Sequence, residues 1–149
     1  MGLKSMRVLF FLLLVLSACQ VDAKECTGVE AQEAEAGVDT LKDWSAIYTA
    51  FKRYGHCDDG GIAEGWSEAV VHLLASNWGS LKQAAVYTTN DKGFRRFFLK
   101  HIDASADTDE IKSIGKLAGS QCPPNLKLLC KEIEASVTEA SSQLINEPL

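Results

Sequence analysis

Residues 41–51 read Leu41-Lys42-Asp43-Trp44-Ser45-Ala46-Ile47-Tyr48-Thr49-Ala50-Phe51. Large apolar side chains recur in this stretch at steps of three and four residues, beginning at Leu41 and reaching Phe51. That spacing places them on one face of an α-helix, and Thr40 just before them can serve as the N-cap. We therefore expect an amphipathic helix with an aromatic-rich buried face, which ends at Gly55.

The rest of the chain repeats this one-sided pattern. Five further helices are predicted, at residues 58–77, 80–87, 92–102, 107–119 and 126–147. Between the third and fourth helices, Thr88-Thr89-Asn90-Asp91 is typical of a turn. No stretch shows the sustained alternation that strands need. The predicted fold class is all-α, a compact bundle of five or six short helices around one core, in a domain that spans residues 40–149.

The N-terminal residues have the order of a secretory signal peptide. Lys4 and Arg7 precede an apolar run at residues 8–16, and small residues follow it. A run of nine apolar residues is too short for a permanent transmembrane helix, which needs about 20. The sequence therefore predicts an exported protein.

The end of this signal, Leu16-Ser17-Ala18-Cys19, resembles the lipobox of bacterial lipoproteins. The resemblance implies that residues 1–18 are removed and that Cys19 carries lipid, such as palmitate, on its sulfur and amine. Several acyl chains together give stable anchoring to a membrane. Gln20 stands where an Asp would resemble an inner-membrane retention signal, so the resemblance implies an outer-membrane lipoprotein that faces the periplasm. Ordinary signal-peptidase cleavage after Ala23, without lipid, stays open.

Residues 19–39 differ in composition from the rest of the chain. They are rich in alanine and carboxylates and contain no apolar side chain larger than valine. Such a segment buries too little surface to offset its ordering entropy. We therefore expect the lipidated Cys19 to be followed by a flexible acidic tether that reaches residue 39.

Charge narrows the class of partner. The chain has 149 residues, of which 15 are basic and 20 are acidic, and its net charge is −5. Residues 1–18 hold two of the basic side chains and none of the acidic ones, so the mature chain has 13 basic and 20 acidic residues and a net charge of −7. An acidic surface argues against nucleic-acid binding and against adhesion to anionic lipid headgroups. It is compatible with a basic protein partner.

With Cys19 assigned to the lipobox, four cysteines remain: Cys26, Cys57, Cys122 and Cys130. An even number in an oxidising compartment predicts two disulfides. Cys122 and Cys130 are close enough to pair across a tight turn, which would leave Cys26 for Cys57, although the other connectivities stay open. No pair has the C-x2-C spacing of a zinc knuckle, so we expect no metal site and no cofactor.

The most unusual stretch of the mature chain is Tyr54-Gly55-His56-Cys57-Asp58-Asp59-Gly60-Gly61, named here the 54–61 loop. One hypothesis makes Cys57 a nucleophile that is activated by His56 or His101, with Asp58 or Asp103 as the carboxylate that orients the histidine. Adjacent side chains point in different directions, however, and an exported thiol tends to be oxidised. The favoured interpretation is a turn in which glycines permit positive φ, Cys57 is bridged, and the aspartates cap the next helix.

Oxygen ligands for calcium are a further hypothesis for this loop. Asp58 and Asp59 could hold a hard cation with help from Glu64, but adjacent carboxylates at a helix start are more often caps. We instead expect the loop and one helix end to contact a partner. The candidate partner-binding residues are Tyr54, His56, Asp58, Asp59 and Trp78.

Taken together, these patterns favour a non-enzymatic protein-binding or inhibitory module on the cell envelope. The chain is loosely similar to periplasmic immunity proteins that neutralise toxins delivered by type VI secretion, especially the amidase-inhibitor group. The similarity rests on size, helical makeup, export and the helix start at residues 41–44, and it carries over no site residues. One alternative is a small envelope enzyme that uses Cys57 or the Asp58–Asp59 pair, and another is a structural envelope lipoprotein. No phosphate-binding loop, nucleophile elbow or zinc-protease motif occurs.

Overall fold

The computed structural model describes residues 24–146, and this part of the chain consists of helices, short turns and no strand. Its seven α-helices are α1 Gly28–Gly37, α2 Trp44–Tyr54, α3 Gly60–Ser76, α4 Leu81–Asn90, α5 Lys92–Lys100, α6 Thr108–Ser120 and α7 Lys127–Asn146. Single helical turns at Val38–Thr40, Gly55–Cys57, Trp78–Ser80 and Pro124–Leu126 lie between some of them. The all-α prediction is confirmed. The seventh helix is α1, which the sequence patterns did not predict.

The helices close around one core because each contributes an apolar face. Trp44 of α2 packs against Phe98 of α5 with ring centroids 5.4 Å apart, and Trp66 of α3 packs against Phe97 at 4.9 Å. The neighbouring residues Phe97 and Phe98 are both buried, because α5 has helices on two sides. The buried face of α5 therefore lies in the core, and the C-terminal end of α5 meets the 54–61 loop.

Residues 28–37 form α1, so the prediction of a flexible tether is wrong for this segment. Thr27 caps the helix: its Oγ1 accepts from the Glu30 backbone N–H at 3.3 Å, while Glu30 Oε2 accepts from the Thr27 N–H at 3.1 Å. This is a capping box. Only Ala34 of α1 is buried, so the helix has no large apolar stripe by which it could be recognised. Its stability comes from the cap and from packing on the rest of the fold.

Two helix ends also differ from expectation. Asp43, and not Thr40, is the N-cap of α2, and its side chain accepts from the Ala46 N–H at 2.8 Å. The turn predicted at 88–91 is helical as far as Asn90, and Asp91 then caps α5. A single residue therefore separates two helices where the sequence indicated a four-residue turn.

The described cysteines pair as Cys26–Cys57 and Cys122–Cys130, so two disulfides are present. The first joins the segment before α1 to the 54–61 loop, and the second closes the turn between α6 and α7. Cys19 lies outside the described residues. None of the helices between residues 24 and 146 combines the length and hydropathy that crossing a bilayer requires.

Candidate functional site

The 54–61 loop is the short connection between α2 and α3. After Tyr54 the chain makes one helical turn at Gly55–Cys57, and Asp59 then serves as the N-cap of α3 by accepting from the Gly60 N–H at 2.8 Å. Gly60 has φ of +51°, which is the left-handed region that favours glycine. The expected roles of a glycine and of one aspartate cap in this turn are therefore confirmed.

On one side, α1 holds the loop. Cys57 is buried and bonded to Cys26, so its sulfur offers no thiolate for nucleophilic chemistry. The Tyr54 hydroxyl donates to Glu33 Oε2 at 2.7 Å, and this hydrogen bond raises the pKa of Tyr54. His56 Nε2 lies 3.3 Å from Glu30 Oε1. The helix that was expected to be a tether is thus part of the site.

On the other side, Asp58 ties the loop to the end of α5. Its Oδ2 accepts from Lys100 Nζ at 2.6 Å, and its Oδ1 lies 3.3 Å from His101 Nε2. Burial acts to raise the pKa of Asp58, but His101 and Lys100 together outweigh it and lower the pKa below its ordinary value. Asp58 is therefore an internal anion that anchors the loop, and it is not a helix cap.

A buried polar network continues inward from Asp58. His101 Nδ1 lies 2.9 Å from Ser67 Oγ, which also lies 2.8 Å from Asp103 Oδ2. Aspartate, histidine and serine in contact have the composition of a nucleophilic triad. However, His101 is fully buried and Ser67 is only 1% exposed, so a substrate cannot reach the hydroxyl. The network joins the loop to α3 and α5 and stabilises their packing.

Trp78 lies away from this loop, in the turn before α4. Its side chain is half-buried, and its Nε1–H donates to the Gln121 carbonyl at 3.0 Å. Among the candidate partner-binding residues, Tyr54, His56, Asp58 and Trp78 all make such internal contacts. Asp59 is exposed, and with the exposed Gly60 and Gly61 it forms what we name the loop tip.

Sequence reasoning missed two residues of the site, Glu30 and Ser67, and it named Asp103 only as a carboxylate that could orient a catalytic histidine. Thr27 and Glu30 have the spacing of a capping box, which was a usable local signal for α1. Ser67 and Asp103 are 36 positions apart and become neighbours only when α3 packs against the segment after α5. No local pattern indicates such a contact.

Comparison of the chain with family models, curated proteins and solved structures finds no match.

Proposed function

We propose that this chain is an envelope-anchored lipoprotein whose helical domain binds another protein through the loop tip and inhibits it. A periplasmic immunity protein is one form of such a module. The observation that carries the proposal is the double anchoring of the 54–61 loop. A disulfide holds it to α1, and the Lys100–Asp58 ion pair holds it to α5, while Asp59, Gly60 and Gly61 stay exposed.

A loop held in this way is pre-organised for binding. Association costs conformational entropy when a flexible loop must become ordered, and a loop that is already fixed avoids much of that cost. The two glycines expose backbone groups at the tip, and neither would meet another atom within 4 Å if it carried a Cβ. A partner surface can therefore approach the tip closely.

The charge of the tip favours a basic partner surface. Asp59 contributes an exposed carboxylate, and the mature chain expected from the sequence has a net charge of −7. Complementary charge speeds association and sets orientation. The partner that fits this surface is an envelope protein with a cationic cleft or patch.

Two features weigh against the enzymatic alternative. Cys57 is held in a disulfide, and Ser67 is sealed in the core. Both are nucleophile types whose chemistry needs an accessible sulfur or oxygen. A loop that is anchored on two sides and exposes a carboxylate is therefore better suited to binding than to catalysis.

Site-directed photocrosslinking in the cell envelope tests the proposal. A photoreactive amino acid replaces Gly61, which has open space around it, and in a second strain it replaces Thr138, which is exposed on α7. A discrete crosslinked protein is expected at position 61 and not at position 138. Equal products at the two positions, or none at position 61, would contradict the use of the loop tip.

Affinity for the crosslinked partner then separates charge from helix capping. Asp59→Asn keeps an N-cap side chain and removes the charge, whereas Asp59→Lys reverses the charge. We expect Asp59→Lys to weaken binding about tenfold or more and Asp59→Asn to weaken it less. Unchanged affinity in both variants would remove Asp59 from the interface. If the partner has an enzymatic activity, adding the full chain is expected to lower it.

A further inference from the structure

A cluster of potential metal ligands lies behind the loop, where α1 begins. Glu30, His56 and Cys57 each place one potential metal-ligand atom so that all three atoms lie within 4.8 Å of one another. The sulfur of Cys26 is directly bonded to that of Cys57, which brings a fourth ligand atom to the same point. The four groups come from two segments of the chain, so no C-x2-C spacing marks them in the sequence.

The histidine and the glutamate are oriented for coordination. His56 Nε2 is a buried atom without a hydrogen-bond partner, although Glu30 Oε1 is 3.3 Å away. Glu30 commits Oε2 to the capping box, whereas Oε1 faces His56 and the exposed Lys24. Hydrogen bonds, the largest from Lys24 and the next from Thr27, lower the pKa of Glu30 to about 2, so the carboxylate is ionised.

We propose that reduction of the Cys26–Cys57 disulfide converts this corner into a zinc site with the ligands Cys26 Sγ, Cys57 Sγ, His56 Nε2 and Glu30 Oε1. The reductant is a dithiol. Its two sulfurs form a new disulfide as the Cys26–Cys57 bond breaks, and its two protons pass to the cysteines. Zn²⁺ then displaces these protons as it binds both thiolates.

The geometry is compatible with a tetrahedral ion. Zn–S and Zn–N distances of about 2.3 and 2.0 Å place tetrahedral ligand atoms roughly 3.3–3.8 Å apart. Glu30 Oε1 and His56 Nε2 are already 3.3 Å apart. Since all three ligand atoms lie within 4.8 Å of one another, the more distant pairs must approach by up to about 1.5 Å. The two sulfurs must separate after their bond breaks. Residues 24–29 are exposed, so the start of α1 can make this adjustment, and Lys24 can leave Oε1 for solvent.

Disulfide and zinc exclude each other at this site, but both join α1 to the 54–61 loop. In the oxidised chain the S–S bond provides the link, and in the reduced chain the metal provides it. Zinc would thus keep the loop anchored when a dithiol has opened the disulfide. This holds whether or not the loop tip binds a protein.

Zinc titration of the full chain tests the site. The chain is reduced with a dithiol, separated from it without oxygen, and titrated with ZnCl2 against a colorimetric chelator. One Zn²⁺ per reduced chain is expected, at least 100-fold tighter than in the oxidised chain. Co²⁺ in place of Zn²⁺ is expected to give the absorption of a tetrahedral ion with two thiolates.

Four variants identify the ligands. Glu30→Gln preserves the capping box and removes the anionic ligand, and His56→Gln removes the imidazole. Each is expected to weaken zinc binding tenfold or more. His72→Gln is the matched control, because His72 lies 2.8 Å from Glu110 in a separate exposed His–Glu pair, and its affinity should not change. Cys122→Ser/Cys130→Ser should bind as the parent does.

Circular dichroism of each oxidised variant checks that it folds. Loss of zinc binding in Cys122→Ser/Cys130→Ser would overturn the proposal. So would a zinc affinity that neither Glu30→Gln nor His56→Gln changes. Failure of the reduced chain to bind zinc would also overturn it.

Discussion

Lys100 Nζ donates to Asp58 Oδ2 across 2.6 Å and thereby joins the C-terminal end of α5 to the connection between α2 and α3. Asp58 is 14% exposed, and its other oxygen lies beside the fully buried His101. Replacing the carboxylate by an amide leaves Lys100 and His101 without the anion that they face. We expect Asp58→Asn to lower the free energy of unfolding by about 1–3 kcal/mol at pH 7, measured by urea denaturation.

The same pair predicts a pH dependence. Because the folded-state pKa of Asp58 lies below its ordinary value, the ionised side chain adds stability that is present above about pH 4 and is lost as the pH falls through the lower folded-state value. The difference between the parent and Asp58→Asn should therefore shrink as the pH is lowered from about 5 to below the ordinary pKa of an aspartate. Glu35→Gln, at an exposed carboxylate of α1, is the control. A difference that stays constant across this range would contradict the assignment.

Gly60 and Gly61 provide a matched test of the loop backbone. Neither would bring an added Cβ within 4 Å of another atom, but only Gly60 has positive φ. Gly60→Ala is expected to cost about 1–2 kcal/mol through backbone strain alone. Gly61→Ala, in the first turn of α3, should be neutral or stabilising by about 0.4–1 kcal/mol. Thermal and urea unfolding measure the stability of both variants. Equal stabilities would contradict the assignment of a strained, positive-φ backbone to Gly60 alone.

Gly65 tests the packing of the segment that follows α1. A Cβ at this position would lie 2.7 Å from Val38 Cγ1 and 2.9 Å from Cγ2. Gly65→Ala is therefore expected to lower the free energy of unfolding by about 1–3 kcal/mol, despite the better helix propensity of alanine. Adding Val38→Ala should recover part of that loss. A double-mutant cycle that also includes Val38→Ala alone measures the coupling, and a cycle without coupling would place Val38 elsewhere.

The success of the sequence predictions follows the size of the buried side chains. Helix α2 was recognisable because Trp44, Ile47 and their neighbours form a stripe of large apolar residues. Helix α1 was not, because it places only Ala34 in the core and depends on a cap and a disulfide. Hydrophobic periodicity reports large buried faces and misses a helix that is held mainly by polar and covalent contacts.

The features of the candidate site also differ in whether the local sequence predicts them. Local chemistry correctly indicated that Asp59 is a cap, that a glycine of the loop takes positive φ, and that Cys57 is bridged. The partners of Asp58, at Lys100 and His101, are more than 40 positions away. Such partners depend on how helices pack, which a single sequence pattern does not encode. The assignment of Asp58 as a cap was therefore wrong, although its position in the loop was right.

Ser67 distinguishes a structural network from a catalytic one. Ser67→Ala removes the hydroxyl that lies between His101 Nδ1 and Asp103 Oδ2, so the buried imidazole and the half-buried carboxylate each lose a partner. The expected loss is about 1–3 kcal/mol of unfolding free energy. The parent chain should also resist a fluorophosphonate probe, because Ser67 is 1% exposed. Labelling of the parent that Ser67→Ala abolishes would favour the enzymatic alternative.

Substitution of Cys19 tests the lipid anchoring on which the proposed location depends. Six residues separate it from Cys26, where the disulfide fixes the chain, and a fully extended segment of that length spans about 25 Å. The domain would thus stay close to the membrane. The segment that can act as a tether ends at Cys26 and is shorter than the tether to residue 39 that the sequence predicted. Cells fed labelled palmitate should incorporate it into the parent chain and not into Cys19→Ser, and the parent should fractionate with the outer membrane. Mass spectrometry that found an unmodified mature chain starting at Lys24 would show cleavage after Ala23 and remove the lipid anchor from the proposal.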